Sequence, residues 1–273
     1  MGLFKPDIDK LSKNKNIKRL IKALEYEDKS VETTNQIRKD AEEALIKNAI
    51  YISVKDLSVA EEDAIRGMIN FKSLPIHISA KLLHRGMDIN FGKYEGFLIE
   101  WQVLSAEVDK VLLLSVKSLD CKPYNEIQSD VTWETCTLRK WLNGEFVSGS
   151  FSQEEQSQIL LVINKNPDNL KYNIPGGRDT SDKVFCLSYD EVDKYMPSEK
   201  YRMCCPTEYA KRQGVYACAN KACAWWLRSP GSIASMAEDI NEYGTINHVG
   251  YDVDGDNNCM DGVRPALWLN LKS

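Results

Sequence analysis

Trp225-Trp226-Leu227-Arg228-Ser229-Pro230-Gly231 and, further on, Gly262-Val263-Arg264-Pro265-Ala266-Leu267-Trp268-Leu269 decide the reading of this chain. Both blocks are apolar, and each carries a single arginine. The stretch between them, residues 232–261, is polar, acidic and rich in Asn and Gly. Two rigid strands on either side of an adaptable surface make a binding face, because recognition residues sit on segments that a scaffold holds. The blocks are therefore expected to be paired strands, with the intervening segment carrying the function.

Within that segment Ala237, Ile240, Ile246, Val249 and Val253 are expected to point inward. Ser232, Ile233, Ser235, Met236, Glu238, Asp239, Asn241, Tyr243, Thr245, Asn247, His248, Tyr251, Asp252 and Asp254 should then gather on one exposed, ligand-facing surface, since alternation along a strand separates its two faces. Tyr243 and Tyr251 would act as amphipathic anchors, with Ser, Asn and Asp as adaptable partners, the division of labour found in antibody paratopes. Residues 225–263 hold one Arg against seven acidic residues. Such a face repels phosphate backbones and argues against nucleic acid as a partner.

Upstream, Phe97–Leu104 and Val111–Ser115 read as two strands joined by a turn near Asp109-Lys110. Thr132–Asn143 reads as a helix with Trp133, Leu138, Trp141 and Leu142 inward, ended at Gly144. Ser152-Gln-Glu-Glu155 and Ser188-Tyr-Asp-Glu191 are capping boxes that open short helices. Thr207–Gln213 is a further helix closed by Gly214, and residues 164–182 form a long irregular loop. Strands follow over about 224–228, 235–240, 245–253 and 263–269, with Asn241–Gly244 as a hairpin turn. Few helices, many short strands and long loops predict an α+β domain over 86–273 with small antiparallel sheets.

Residues 1–85 differ in character. They hold 16 Lys and Arg against 13 Asp and Glu, while the remainder holds 19 against 27. Ile17, Leu20, Ile21 and Leu24 form one apolar helical stripe. After a polar break at 28–35, Ile37, Ala41, Ala44 and Leu45 continue it on a second helix, and Ser58-Val-Ala-Glu61 opens a third to about Phe71. The first pair resembles one unit of a HEAT-like repeat. A lone unit cannot bury its own core, so this segment is either a docking or self-association module or a helical cap.

Forty-three per cent hydrophobic and 27% charged residues are ordinary for a soluble globular protein. No apolar run reaches the roughly 20 residues that span a bilayer, and the N-terminus lacks the apolar core of a signal peptide. The expectation is a cytoplasmic protein with no membrane partner. Eight cysteines in such a chain read as reduced thiols. No Cys-x-x-Cys occurs, and His77, His84 and His248 do not fall at zinc-ligand spacing. Phosphate-loop, dinucleotide and Gly-x-Ser-x-Gly motifs are missing, so no cofactor is expected. Asp252-Val-Asp254-Gly-Asp256 matches the start of a calcium loop, but Asn257 and Val263 occupy positions where an EF-hand needs Gly and Glu.

The series Phe91-Gly-Lys-Tyr94, Trp101-Gln-Val-Leu104, Leu119–Asn125, Trp133–Asn143 and the two C-terminal blocks resembles a bacterial family, domain of unknown function 6273, over about 90–271. Its ending is similar to the C-type-lectin-like fold of formylglycine-generating enzymes, also used by variable proteins of diversity-generating retroelements. That resemblance implies a recognition protein, enzymatically inactive, whose segment 232–258 forms a binding surface, of the kind diversified in the retroelement proteins, for an unknown protein or small ligand. An alternative follows from Cys218-x4-Cys223, the spacing of the reactive pair in formylglycine-generating enzymes, which would make the chain an oxidase. A scaffold without a diversified surface is the third. Arg228 and Arg264 are expected to tie strands beside the aromatic core rather than to hold anions.

Overall fold

A computed structural model describes residues 5–14, 19–20, 23, 26, 30–52, 83, 85–107, 109–255 and 261–271. Two compact units divide the chain after Met87.

In the first unit, Asp7 caps helix α1 (Ile8–Lys13) by accepting the Lys10 N–H, as a short acidic side chain does at an N-cap. Helix α2 (Val31–Ile52) begins earlier than the sequence pattern suggests. Ser30 stands at its head and accepts the Thr33 N–H, so the expected break at 28–35 is cut short. Leu20 and Ala44 are buried together, with Ile8 and Leu11 packed against them. The third expected helix, like His77 and His84, lies outside the described residues.

The second unit is α+β. Strands β1 (Asp88–Tyr94), β2 (Phe97–Ala106), β3 (Lys110–Ser115) and β4 (Asp120–Cys121) come first. Helix α3 (Thr137–Trp141), a π-helical turn (Leu142–Phe146), α4 (Val147–Ser150) and α5 (Gln153–Gln158) follow. Next are β5 (Val162–Asn164), β6 (Thr180–Asp182), β7 (Val184–Phe185), α6 (Tyr189–Tyr195), α7 (Glu199–Arg202) and α8 (Glu208–Gln213). The chain continues into β8 (Trp225–Pro230), β9 (Met236–Ile240), β10 (Ile246–Asp252), β11 (Gly262–Val263) and β12 (Ala266–Asn270). One sheet runs β1-β2-β3-β12-β7 and a second runs β10-β9-β8-β11-β4. The two C-terminal blocks supply β8, β11 and β12, so one of them serves both sheets.

Several elements follow from local chemistry. Both expected capping boxes form, with Ser152 and Ser188 each exchanging hydrogen bonds with the Glu three residues on. Gly214 ends α8 at φ +117°, a left-handed conformation that favours glycine. The helix expected from Thr132 instead starts after Cys136, whose sulfur accepts the Arg139 N–H. It does not stop at Gly144: the π-turn carries it on to Ser150. The long loop is also less irregular than expected, because its ends pair as β5 and β6.

Aromatic burial dominates the core. Trp101, Trp133, Trp225 and Trp226 are each no more than 1% exposed. Their ring N–H groups donate to Phe91 O, Asp182, Arg202 O and Lys122 O, respectively, as buried indoles require. Asp182 is fully buried, and both its oxygens are used: one faces Arg139, and the other accepts from Trp133, Asn164 and Thr180. Among the described residues no helix is long and apolar enough to cross a membrane. Trp226→Ala is expected to cost about 3–5 kcal/mol, the usual range for truncating a buried aromatic; an unchanged denaturant midpoint would contradict the packing described.

Candidate functional site

Strands β8, β9 and β10 form the antiparallel end of the second sheet. The β9–β10 register breaks between Asn247 and Tyr251, and the β8–β9 register between Trp226 and Pro230. Such irregularities re-aim side chains. Here they accompany a contact between His248 Nδ1 and Glu238 Oε1 at 2.8 Å. At the far end, Asn241 Oδ1 accepts the N–H groups of Tyr243 and Thr245 and fixes the hairpin turn.

Above Glu238 and His248 opens a cleft of about 460 Å³. Two other segments complete it. Tyr189 and Asp190, at the start of α6, line one wall, and the Tyr189 ring meets the His248 ring edge-on at 4.9 Å. The loop Pro167–Lys171 forms another wall. Its Asn169 is buried, with its amide nitrogen against Pro230 O (2.9 Å), Gly231 O (3.2 Å), His248 O (3.2 Å) and Glu238 Oε1 (3.3 Å). One short amide thus fastens the loop to all three strands.

Glu238 is 2% exposed, and its Oε2 has no hydrogen-bond partner. Burial raises its pKa above the usual carboxylate value, against the lowering effect of His248; the nearby charge of Asp190 adds to the rise. Its neighbour Asp239 is pushed up to about 7, first by burial and also by the charges of Glu238 and Glu242, although Asn247 donates to it at 2.8 Å.

The expected surface does not hold as one exposed face. Ile233, Tyr243 and Thr245 are exposed, and Ser232, Ser235, Met236, Asn241, Asn247, His248, Tyr251, Asp252 and Asp254 are half-buried. Glu238 and Asp239 are buried, contrary to expectation, because β9 lies inside the sheet between β8 and β10. Val249, expected inward, is exposed; it lies within the irregular register between Asn247 and Tyr251, where the alternation is interrupted. Glu238 and His248 come together in the cleft. Thr245 instead bonds Glu199 at 2.9 Å, and Asp252 accepts from Gln128 at 2.9 Å. Asn169, Tyr189 and Asp190 were not anticipated; the capping box at Ser188 is the one local signal near them.

The expected roles of the arginines are met. Arg228 donates to Cys186 O and Lys165 O and pairs with Glu191. Arg264 donates to Ser115 O and Arg202 O and lies over the Trp225 ring. Cys223 is buried, and its partner across an antiparallel bridge is Cys204 rather than Cys218. Their shared contact drives the two thiols apart. Hydrogen bonding to Cys204 raises Cys223; Cys204 is lifted by burial but ends lowered, through that same bond and the Arg264 charge. Cys218 is half-exposed, with its pKa raised by desolvation and by Glu242. Among the described residues no group of three or more His, Cys, Asp or Glu is arranged to hold a metal ion. Residues 256–260 of the acidic loop lie outside the described residues.

Compared with known proteins, the chain matches a family model described as "Domain of unknown function (DUF6273)" over residues 108–271, more than half its length. No curated protein and no solved structure matches it.

Asp239 gives the site a pH signature. A carboxyl whose folded pKa is raised binds its proton more tightly in the native state, so its contribution to stability is present below about 4, its ordinary value, and lost as pH rises through about 7. Asp239→Asn, which holds the neutral form, is expected to remove that loss. Its melting temperature should fall less than that of the parent between pH 5 and 8, as calorimetry across about that range would show; parallel profiles would contradict the assignment.

Proposed function

The chain belongs to the DUF6273 family, and we propose that this member is a recognition protein that holds a ligand on its C-terminal face, in the cleft floored by Glu238. One contrast carries the reading. Asp182 and Glu238 are comparably buried acids, yet Asp182 has partners on both oxygens while Glu238 Oε2 has none. Leaving a buried polar group unmatched costs about 1–3 kcal/mol, more when it is charged. Such a group calls for an explanation, and a partner from outside the chain is one. Glu238 lines a cleft of small-ligand size.

The C-type-lectin-like fold belongs to the same proposal. Its support is the layout: β8 on one side, β11 and β12 on the other, and the cleft-forming segment between them. Exposed Ile233, Tyr243, Thr245 and Val249 are the positions at which a diversified surface would vary, since exposed substitutions typically change stability by no more than about 0.5 kcal/mol.

A thermal-shift screen of small polar compounds on the full chain tests the reading, because a ligand of the native state raises the melting temperature by mass action. Some compounds are expected to shift the parent but neither Glu238→Ala nor His248→Ala. A screen with no shift, or shifts that persist in both variants, would reject it.

A further inference from the structure

We propose that the cleft takes an organic cation, a primary ammonium seated at Glu238 Oε2 and carried on an apolar body that lies against Leu170. The inference rests on the recognition reading and adds the ligand's chemistry. Counting donors and acceptors at the floor gives the argument. The Asn169 amide has two N–H groups, and four acceptors lie within reach of its nitrogen: Pro230 O, Gly231 O, His248 O and Glu238 Oε1. Glu238 Oε2 has no donor at all. His248 Nδ1 lies 2.8 Å from Glu238 Oε1, so its contact falls on the other carboxylate oxygen and leaves Oε2 unmet. The floor is rich in acceptors and short of donors. An ammonium brings three donors, no acceptor and a positive charge; a hydroxyl brings one donor, and a carboxylate would add acceptors.

Charge points the same way. Asp168, Asp190 and Glu238 line the cleft against a single Lys171, whose ammonium lies over the Tyr172 ring at 5.2 Å. Asp168 accepts the Gly176 N–H, while Asp190 lines the cleft from an exposed position. The apolar complement is Leu170, which lines the cleft at 87% exposure. Ile233 and Val249 are exposed nearby: Val249 follows His248, and its carbonyl accepts the Ser232 N–H at 2.7 Å.

Calorimetric titration of the full chain with three matched probes, phenethylamine, phenethyl alcohol and phenylpropionate, tests this at neutral pH. Phenethylamine is expected to bind, the alcohol about tenfold more weakly or worse, and the acid undetectably, since a charge-assisted bond is roughly twice as strong as a neutral one. Glu238→Gln should weaken amine binding about tenfold. Asp190→Asn, at an exposed position where the fold is retained, should weaken it by a smaller factor. Equal binding of amine and alcohol, preference for the acid, or amine affinity unchanged in both variants would overturn the assignment. Silence from all three probes, while screened compounds still bind in a Glu238-dependent way, would overturn the ammonium and leave the recognition reading standing. A screen that is itself silent removes the recognition reading first.

Discussion

The buried guanidinium of Arg264 is the contact on which the rest of the second unit depends. It stands where the chain leaves β11 in one sheet and enters β12 in the other. From there it donates to Ser115 O at the end of β3 and to Arg202 O at the end of α7, and it covers the Trp225 ring of β8. The Arg202 carbonyl also accepts from the Trp225 indole. Three segments distant in sequence are therefore fixed by one planar group with five donors. A lysine at this position would offer neither the fork nor the stacking.

Arg228 does the same at the other end of β8, joining Cys186 O, Lys165 O and Glu191. Since Lys165 begins the segment leading to Asn169, and Glu191 lies in the first turn of α6, this arginine fixes the origins of two cleft walls. The acceptor-rich floor is thus held between segments that two buried, hydrogen-bonded arginines fix in place. A site whose walls are fixed in advance in this way lowers the ordering cost of binding.

Much of this fold was legible in the sequence because it rests on local chemistry. Capping boxes at Ser152 and Ser188, the glycine that ends α8, the turn at Asn241–Gly244 and the apolar blocks each declare themselves within a few residues. The site was legible only in part. Glu238 and His248 lie in the segment singled out, but alternation wrongly placed Glu238 and Asp239 outward. On a strand flanked by two others and covered on both faces, the polar and apolar sides are no longer the wet and dry ones. Asn169 and Tyr189 could not be found by pattern, since their importance comes from contacts spanning 61 to 79 residues of sequence for Asn169 and from a ring contact to His248 for Tyr189. The helix expected to stop at Gly144 failed for a related reason: the π-turn absorbs the glycine, and Phe146 and Val147 beyond it are buried.

The position of β12 bears on how the chain is made. It lies inside the first sheet, between β3 and β7, yet it follows every other strand of that sheet in order of synthesis. While it is still in the ribosome, the nascent β3 and β7 have no partner along those edges, and Leu112, Leu113 and Leu114, buried in the finished sheet, lack part of their cover. Open strand edges of this kind invite pairing with other chains, and sheets closed by distant segments form slowly. The unit is thus exposed to aggregation for most of its translation, and its first sheet is completed in one late step, when Ala266–Asn270 slides into the gap.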